Sequence, residues 1–339
     1  MSKHVLITGV GGSIGVHVLM HVIRNTEWDI TGIDSFRHKG LAERLPDWAI
    51  RLPRVRIFTA DLTAPISGIL QERIGKVDYV IHLASISDVD MSLDDPTVAI
   101  RSNVEIELTV LEYCRSARPG ALLQISTDEV YGPTDGRSTH KEWDPIVPSN
   151  PYSASKAAQE AIAIAYWRSY SVPLVIVNLM NNFGEMQSGS KFPCLVQRYV
   201  REAKMLTLHK FGSTYGSRFY IHSRNSADAM LFILKNKPPY MHEPGTVDRP
   251  DRFNIVGDEQ VNNLELARLI AESLGKPFRK GQEYTDLEIF DQRPGHDGHY
   301  GLSGEKLATL GWKSPLTFRE SMQNTVGWYE ENPEWLDPK

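Results

Sequence analysis

Two cysteines, Cys114 and Cys194, are all that 339 residues contain, and neither belongs to a Cys-x-x-Cys pair. That excludes a disulfide framework and leaves no cysteine set for structural zinc. Basic blocks and acidic tails are missing too, and the formal net charge is −5. Phosphate-backbone binding needs a basic surface, so nucleic acid is not an expected partner. No stretch approaches the roughly 18 apolar residues of a membrane helix. Met1-Ser2-Lys3-His4 leads straight into a short apolar strand instead of a signal segment. A cytoplasmic globular protein with no membrane partner is the expectation. Hydrophobic residues at 41% and charged residues at 23% are ordinary for such a chain and sufficient for a sizeable core.

Short apolar runs are placed regularly. Residues 4–8, 29–33, 55–58, 79–83, 122–126 and 174–179 read as buried strands, separated by segments long enough for crossovers. Helical patterns follow the first strand through about Arg24 and run over 101–118. Alternating strands and helices imply a parallel sheet covered on both faces. The predicted fold class is α/β: a Rossmann-type doubly wound parallel sheet with a smaller C-terminal α/β substrate lobe. After about residue 185 the rhythm changes, and Pro238, Pro239, Pro244 and Pro250 cluster. The expected division is 1–184 for the dinucleotide-binding part and 185–339 for the lobe, with the chain crossing between them.

Directly after the first strand come Gly9, Gly12 and Gly15, spaced Gly-x-x-Gly-x-x-Gly. Glycine allows a tight turn and lets backbone approach a pyrophosphate, which then sits at a positive helix N-terminus. A bare strand-to-helix turn would also use glycines, so context matters. Asp34 ends the second strand, 19 positions beyond Gly15, where a carboxylate accepts the adenosine ribose hydroxyls and repels a 2′-phosphate. NAD is therefore the expected cofactor, although Arg37, His38 and Lys39 lie close behind. Asp61 and Leu62, at the end of the third strand, suit either the adenine edge or a solvated loop.

Tyr152 and Lys156 form Tyr-x-x-x-Lys, with Pro151 fitting a helix's first turn. Residues four apart share one helix face. The alternative for such a pair is a solvated face; the chemical reading is an ammonium that, together with a positive nicotinamide, favours phenolate, so that the phenolate takes a sugar hydroxyl proton. Ile125-Ser126-Thr127-Asp128-Glu129 starts as an apolar strand and ends in adjacent carboxylates. These either cap a turn or divide labour, one protonated as acid and the other ionised as base.

Thr127-Asp128-Glu129-Val130-Tyr131-Gly132, followed by Pro151-Tyr152-Ser153-Ala154-Ser155-Lys156, resembles the dTDP-glucose 4,6-dehydratases among the extended short-chain dehydrogenase/reductases and their NAD-dependent epimerase/dehydratase family. His82-Leu83-Ala84, Asn181-Asn182-Phe183-Gly184, Arg293-Pro294-Gly295-His296-Asp297 and Leu310-Gly311-Trp312 extend the likeness over nearly the whole chain. The resemblance implies that Tyr152, with Lys156 and Thr127, oxidises C4 of a nucleotide hexose against NAD. Glu129 then removes the C5 proton, Asp128 protonates the departing C6 hydroxyl, hydride returns to C6 and a proton is delivered to C5. It assigns Gly9, Gly12, Ser13, Ile14, Gly15, Asp34, Asp61, Leu62, Leu83, Ala84, Asn103, Tyr152 and Lys156 to the cofactor. Ser87, Asn181, Asn182, Arg218 and Arg293 are assigned to the substrate. It further implies a homodimer through helices at about 101–118 and 152–169. Three segments depart from the family pattern: Ile86-Ser87-Asp88-Val89-Asp90-Met91, Arg218-Phe219-Tyr220-Ile221-His222-Ser223-Arg224-Asn225, and Glu185 in place of proline after Gly184.

Rival readings are a 4-epimerase or decarboxylase on the same scaffold, and a catalytically silent NAD-binding regulator. The first two have no use for an acid and base pair, and a regulator need not keep Tyr152 and Lys156. His296, Asp297 and His299 lack a convincing additional ligand, so no metal is expected. Trp312, Trp328 and Trp335 read as packing, and Cys194 as a buried, inert thiol.

Overall fold

The computed structural model describes residues 2–37, 42–276, 278–288 and 298–337. Its framework is one seven-stranded sheet: β1 (His4–Thr8), β2 (Asp29–Asp34), β3 (Val55–Thr59), β4 (Tyr79–His82), β5 (Ala121–Thr127), β6 (Leu174–Leu179) and β7 (Asp251–Ile255). The order across the sheet is β7-β6-β5-β4-β1-β2-β3, and every neighbouring pair is parallel. Strand order reverses between β1 and β4, and a crevice at the carboxyl ends of such strands is where open α/β sheets bind ligands. The strands are apolar on both faces because helices cover both: β1, β5 and β6 are buried at every position.

Four long helices matter here: α1 (Ser13–Asn25), α2 (Pro96–Ala117), α3 (Pro151–Tyr170) and α4 (Ser223–Asn236). α2 starts five residues earlier than the periodicity predicts. The Asp95 carboxylate accepts from Val98 N, and Pro96 occupies the first turn, so capping rather than the apolar stripe sets the start. α3 opens on a capping box between Asn150 and Ser153. α2 and α3 lie side by side on one face of the sheet. Together with Leu6, Val80, Leu122, Leu174 and Ile176 they enclose one core, centred on the fully buried Trp167. The other face packs α1 and α4 against Val5, Ile7, Leu123, Val175 and Phe253.

Beyond β6 the chain builds a separate apolar cluster from Phe183, Val196, Leu208, Tyr220, Leu266, Ile270, Phe318 and Met322. A three-stranded sheet, Tyr284–Glu288, Leu206–Phe211 and Thr214–Tyr215, lies beside it. Between these pieces the chain returns to the main sheet as β7, which extends β6. No helix among the described residues is long and apolar enough to cross a membrane.

Candidate active site

The glycine loop is close-packed. A Cβ on Gly15 would lie 2.1 Å from Gly9 O, and one on Gly9 would lie 2.8 Å from Ala84 N. Gly9 also has φ +71°, a conformation side chains resist. Gly12 caps α1 with no side-chain hydrogen bond, so the first-turn amides of a 13-residue helix face the crevice uncapped by any side chain. Such an end accepts an anion. Ser13 and Ile14, both partly exposed, begin that turn. Asp34 closes the loop from beneath: Oδ2 accepts from Gly11 N at 2.9 Å and Oδ1 from Phe36 N at 3.0 Å. Leu83 and Ala84 form the facing wall, with Ala84 N donating to Thr8 Oγ1 at 3.3 Å. A glycine cradle, a free helix terminus and a buried carboxylate at β2 together fit a dinucleotide, and the carboxylate fits NAD.

Asp61 is engaged locally. Its Oδ1 accepts from Thr63 N and Oγ1 and its Oδ2 pairs with Arg37; the Thr63 hydrogen bonds first, and then Arg37, hold its carboxyl below the ordinary range. Arg37 is thereby drawn toward the β3 loop. Leu62 is buried, and both residues line a cavity of about 330 Å³ with Phe58, Thr59 and Arg73.

β5 ends in the predicted carboxylates. Thr127 Oγ1 donates to Asp128 Oδ1 at 2.9 Å and accepts from Glu129 N at 3.4 Å. Asp128 is buried; burial first, and then the charge of Glu129, push its carboxyl up to about 7, against a downward pull from Arg218. Glu129 is only partly buried, and its Oε2 accepts from Asn150 Nδ2 at 2.9 Å. The two neighbours thus occupy unlike environments, which separates an acid from a base.

Tyr152 and Lys156 follow on the first turns of α3. Lys156 Nζ donates to Ile125 O at 2.7 Å and to Gln159 Oε1 at 2.6 Å. The phenol is instead held above its ordinary range, by burial and by Glu129 and Asp128, with Thr127 pulling the other way. In the protein without NAD the Lys156 ammonium is thus directed to Ile125 O and Gln159 Oε1, away from a direct bond to the phenol. Gln159, which the sequence reading missed, lies three residues after Lys156 on the same helix face, the one signal that pointed to it. Asn103 is a bracket: it exchanges bonds with Ile86 N and O and donates to Ser155 Oγ at 2.8 Å, pinning the β4 loop to α3.

The substrate candidates divide. Arg218 is buried, donates to Ser217 O and Gly298 O, and lies over the Tyr300 ring at 4.4 Å. Asn181 Oδ1 is buried without a hydrogen-bond partner among the described residues. Asn182 is used structurally, donating to Met180 O and accepting from Ser226 Oγ. Ser87 is exposed on the β4 loop, while Arg293, His296 and Asp297 lie outside the described residues. Lys191, also missed from sequence, pairs with Asp88 at 3.3 Å and joins the β4 loop to the lobe. No cluster of three potential metal ligands occurs among the described residues. Cys194 is buried, donates to Tyr329 Oη at 3.3 Å, and has its thiol pushed up to about 11 by burial.

Glu185, the departure after Gly184, has a visible cause. Its Oε2 lies 3.0 Å from His222 Nε2 and 3.5 Å from His17 Nε2 on α1, so the lobe and the cofactor helix share one carboxylate. Burial lowers His17 to about 4. An imidazole kept neutral by folding contributes stability that is full above 6.5, its unfolded value, and is lost as pH falls toward 4. The loss amounts to about 3 kcal/mol at the acid end. His17→Gln should flatten the decline of Tm across that window; an unchanged slope would assign it to other groups.

Residues 5–255 match the model of the NAD dependent epimerase/dehydratase family, and the chain belongs to that family. A probable dTDP-glucose 4,6-dehydratase of Sinorhizobium fredii is 31% identical, over 98% of this chain and 95% of that protein. The dTDP-glucose 4,6-dehydratase 1 of Escherichia coli is 29% identical, over 98% and 94%. Among solved structures, a dTDP-glucose 4,6-dehydratase from Streptomyces venezuelae with NAD bound superposes with a TM-score of 0.85 at 28% identity, covering 98% of both chains.

Proposed function

We propose that this protein is an NAD-dependent sugar-nucleotide 4,6-dehydratase, converting an NDP-hexose of the dTDP-glucose type to a 4-keto-6-deoxy sugar nucleotide with loss of water. The observation that carries this reading is the Asp128–Glu129 pair at the carboxyl end of β5, one carboxyl raised by burial and the other stabilised by Asn150. NAD, held by the Gly9–Gly15 loop and Asp34, would supply the hydride acceptor for C4 and the hydride donor for C6. Tyr152 takes the O4 proton, with Thr127 beside it to steady the phenol oxygen. Glu129, ionised, removes the C5 proton once the 4-ketone has acidified it. Asp128, protonated below about 7, gives its proton to the C6 hydroxyl, which leaves as water, and a proton returns to C5 as hydride is added at C6.

Arg218 and Asn181 are assigned to the nucleotide end of the substrate, supported by a buried guanidinium and a buried amide oxygen without a hydrogen-bond partner among the described residues. Arginine suits phosphate oxygens through its fork of donors. A homodimer through α2 and α3 goes with this reading, supported by Val98, Ile100, Leu108 and Tyr170 standing exposed on those helices. The exposed apolar positions are what a partner copy would cover.

The test is incubation with dTDP-, UDP-, GDP- and CDP-linked hexoses, followed by product mass. Loss of one water from one of them, with no net cofactor reduction, is expected. An isomer of unchanged mass would move the protein to the epimerases, and loss of carbon dioxide from a uronic acid form would make it a decarboxylase. Bound NAD with no altered sugar would favour a regulator.

A further inference from the structure

The short turn that carries the acid and the base, Asp128–Tyr131, is held at both ends by one buried network. The hub is Arg252 on β7, fully buried, with its guanidinium 4.2 Å from the centre of the Trp143 ring. One arm of its fork reaches the end of the turn. Arg252 Nη1 donates to Tyr131 Oη at 3.2 Å, and that hydroxyl donates to Glu142 O at 3.0 Å. The other arm runs to the start. Arg252 Nη2 donates to Glu160 Oε2 at 2.6 Å, and Glu160 Oε1 accepts from Asn178 Nδ2 at 2.9 Å. The same Asn178 nitrogen donates to Thr127 O at 3.1 Å. A carboxylate and a carbonyl can only accept, so these two partners fix which way the amide points.

The network gathers residues from β5, β6, β7 and α3. Asn178 lies between Ser126 on β5 and Asn254 on β7, and Glu160 follows Lys156 by one turn of α3. A buried ion pair gains little stability over apolar packing of the same volume, because desolvating two charges offsets their attraction. What a planar fork with an ionised partner does fix is direction. Here the directions it fixes are those of the first and last residues around the turn. A 3₁₀ turn has poorer internal hydrogen-bond geometry than an α-helix, so its placement depends on what holds its ends.

We infer that Arg252 is a positioning residue for the acid–base turn. It acts through Tyr131 at one end, and through Glu160 and Asn178 at the other, to set where Asp128 and Glu129 stand. The burial of Asp128 follows from that placement. The effect on rate rests on the dehydratase reading; the placement of the turn does not.

The experiment compares Tyr131→Phe, which cuts one arm, with Arg252→Lys, which keeps a cation opposite Glu160 but has no fork to serve both ends. With the nucleotide hexose that the wild-type protein dehydrates, water loss in each should slow about 10–100-fold. Single-mixing absorbance should show C4 oxidation within about threefold of wild type, because Tyr152 keeps its place on α3. Water loss at the wild-type rate, or an equal fall in both steps, overturns the inference. A second readout needs no substrate. It is a ¹³C NMR titration of protein labelled at aspartate Cγ, with the Asp128 signal identified by its loss in Asp128→Asn. Both substitutions conserve charge, so a shift reports displacement of the turn. In Tyr131→Phe the Asp128 midpoint should fall from about 7 by about one pH unit as water reaches the carboxyl. An unchanged midpoint overturns the inference, and if Tyr131→Phe does not fold, Arg252→Lys carries the same measurement. If the wild-type protein dehydrates no nucleotide hexose, the dehydratase reading fails separately and the titration alone decides the role of Arg252.

Discussion

Glu129→Gln should oxidise its sugar and then stop, accumulating reduced cofactor toward one equivalent per active site while product formation falls roughly 10²–10⁴-fold. The substitution is isosteric, and a glutamine oxygen can still accept from Asn150, so the turn after β5 should stand. What disappears is the acceptor for the C5 proton. A second consequence follows from the neighbour. The Glu129 charge is, after burial, the main influence raising Asp128. Without it the Asp128 carboxyl falls and ionises at lower pH, so the proton needed by the departing C6 hydroxyl is also scarcer. Both effects act after C4 oxidation, which is why the stall should show as a stable absorbance of reduced cofactor. Product formation at the wild-type rate would remove Glu129 from the reaction.

Tyr152→Phe should abolish the earlier step, lowering sugar oxidation by roughly 10²–10⁴-fold, with NAD affinity changed less than about twofold. The ring keeps its shape and its place on the first turn of α3, and only the ionisable hydroxyl is lost. In the protein alone that hydroxyl is held neutral by burial and by the two carboxylates at the end of β5. A positive charge arriving with the oxidised cofactor supplies the compensation that Lys156, turned toward Ile125 O, does not. No reduced cofactor should appear on mixing with substrate, in contrast to Glu129→Gln. Cofactor fluorescence and single-mixing absorbance separate the two variants. Oxidation at wild-type rate in Tyr152→Phe would mean that another base takes the O4 proton.

Much of this was legible in one dimension because it depends on local chemistry. A strand buried on both faces must be an unbroken apolar run, so β1, β5 and β6 were found within a residue or two. Gly9, Gly12 and Gly15 show in their spacing after β1, although the close approach at Gly9 is to Ala84 on the neighbouring strand's loop, and Tyr152 and Lys156 share a single helix face. Asp128 and Glu129 were visible because adjacent acids at the end of an apolar strand need a use. Helix starts were less legible: α2 begins at Pro96, where a cap outweighs the apolar stripe.

Charge balance was decided by tertiary structure. Whether a carboxyl is an acid or a base depends on burial and on which charges sit across the fold, and those partners lie far apart in sequence. Asp128 is raised by burial and by its neighbour, and lowered by Arg218 from the lobe. Glu185 meets His17 and His222 only because α1 and the lobe come together there. The sequence by itself determined six strands of the sheet and the candidate residues of the site, since each shows in a few consecutive positions, while β7 and the approach of Ala84 to Gly9 came with the tertiary fold. The protonation of those groups, and the direction in which Lys156 points, came only with the long-range packing that sets desolvation and brings distant charges within a few ångströms.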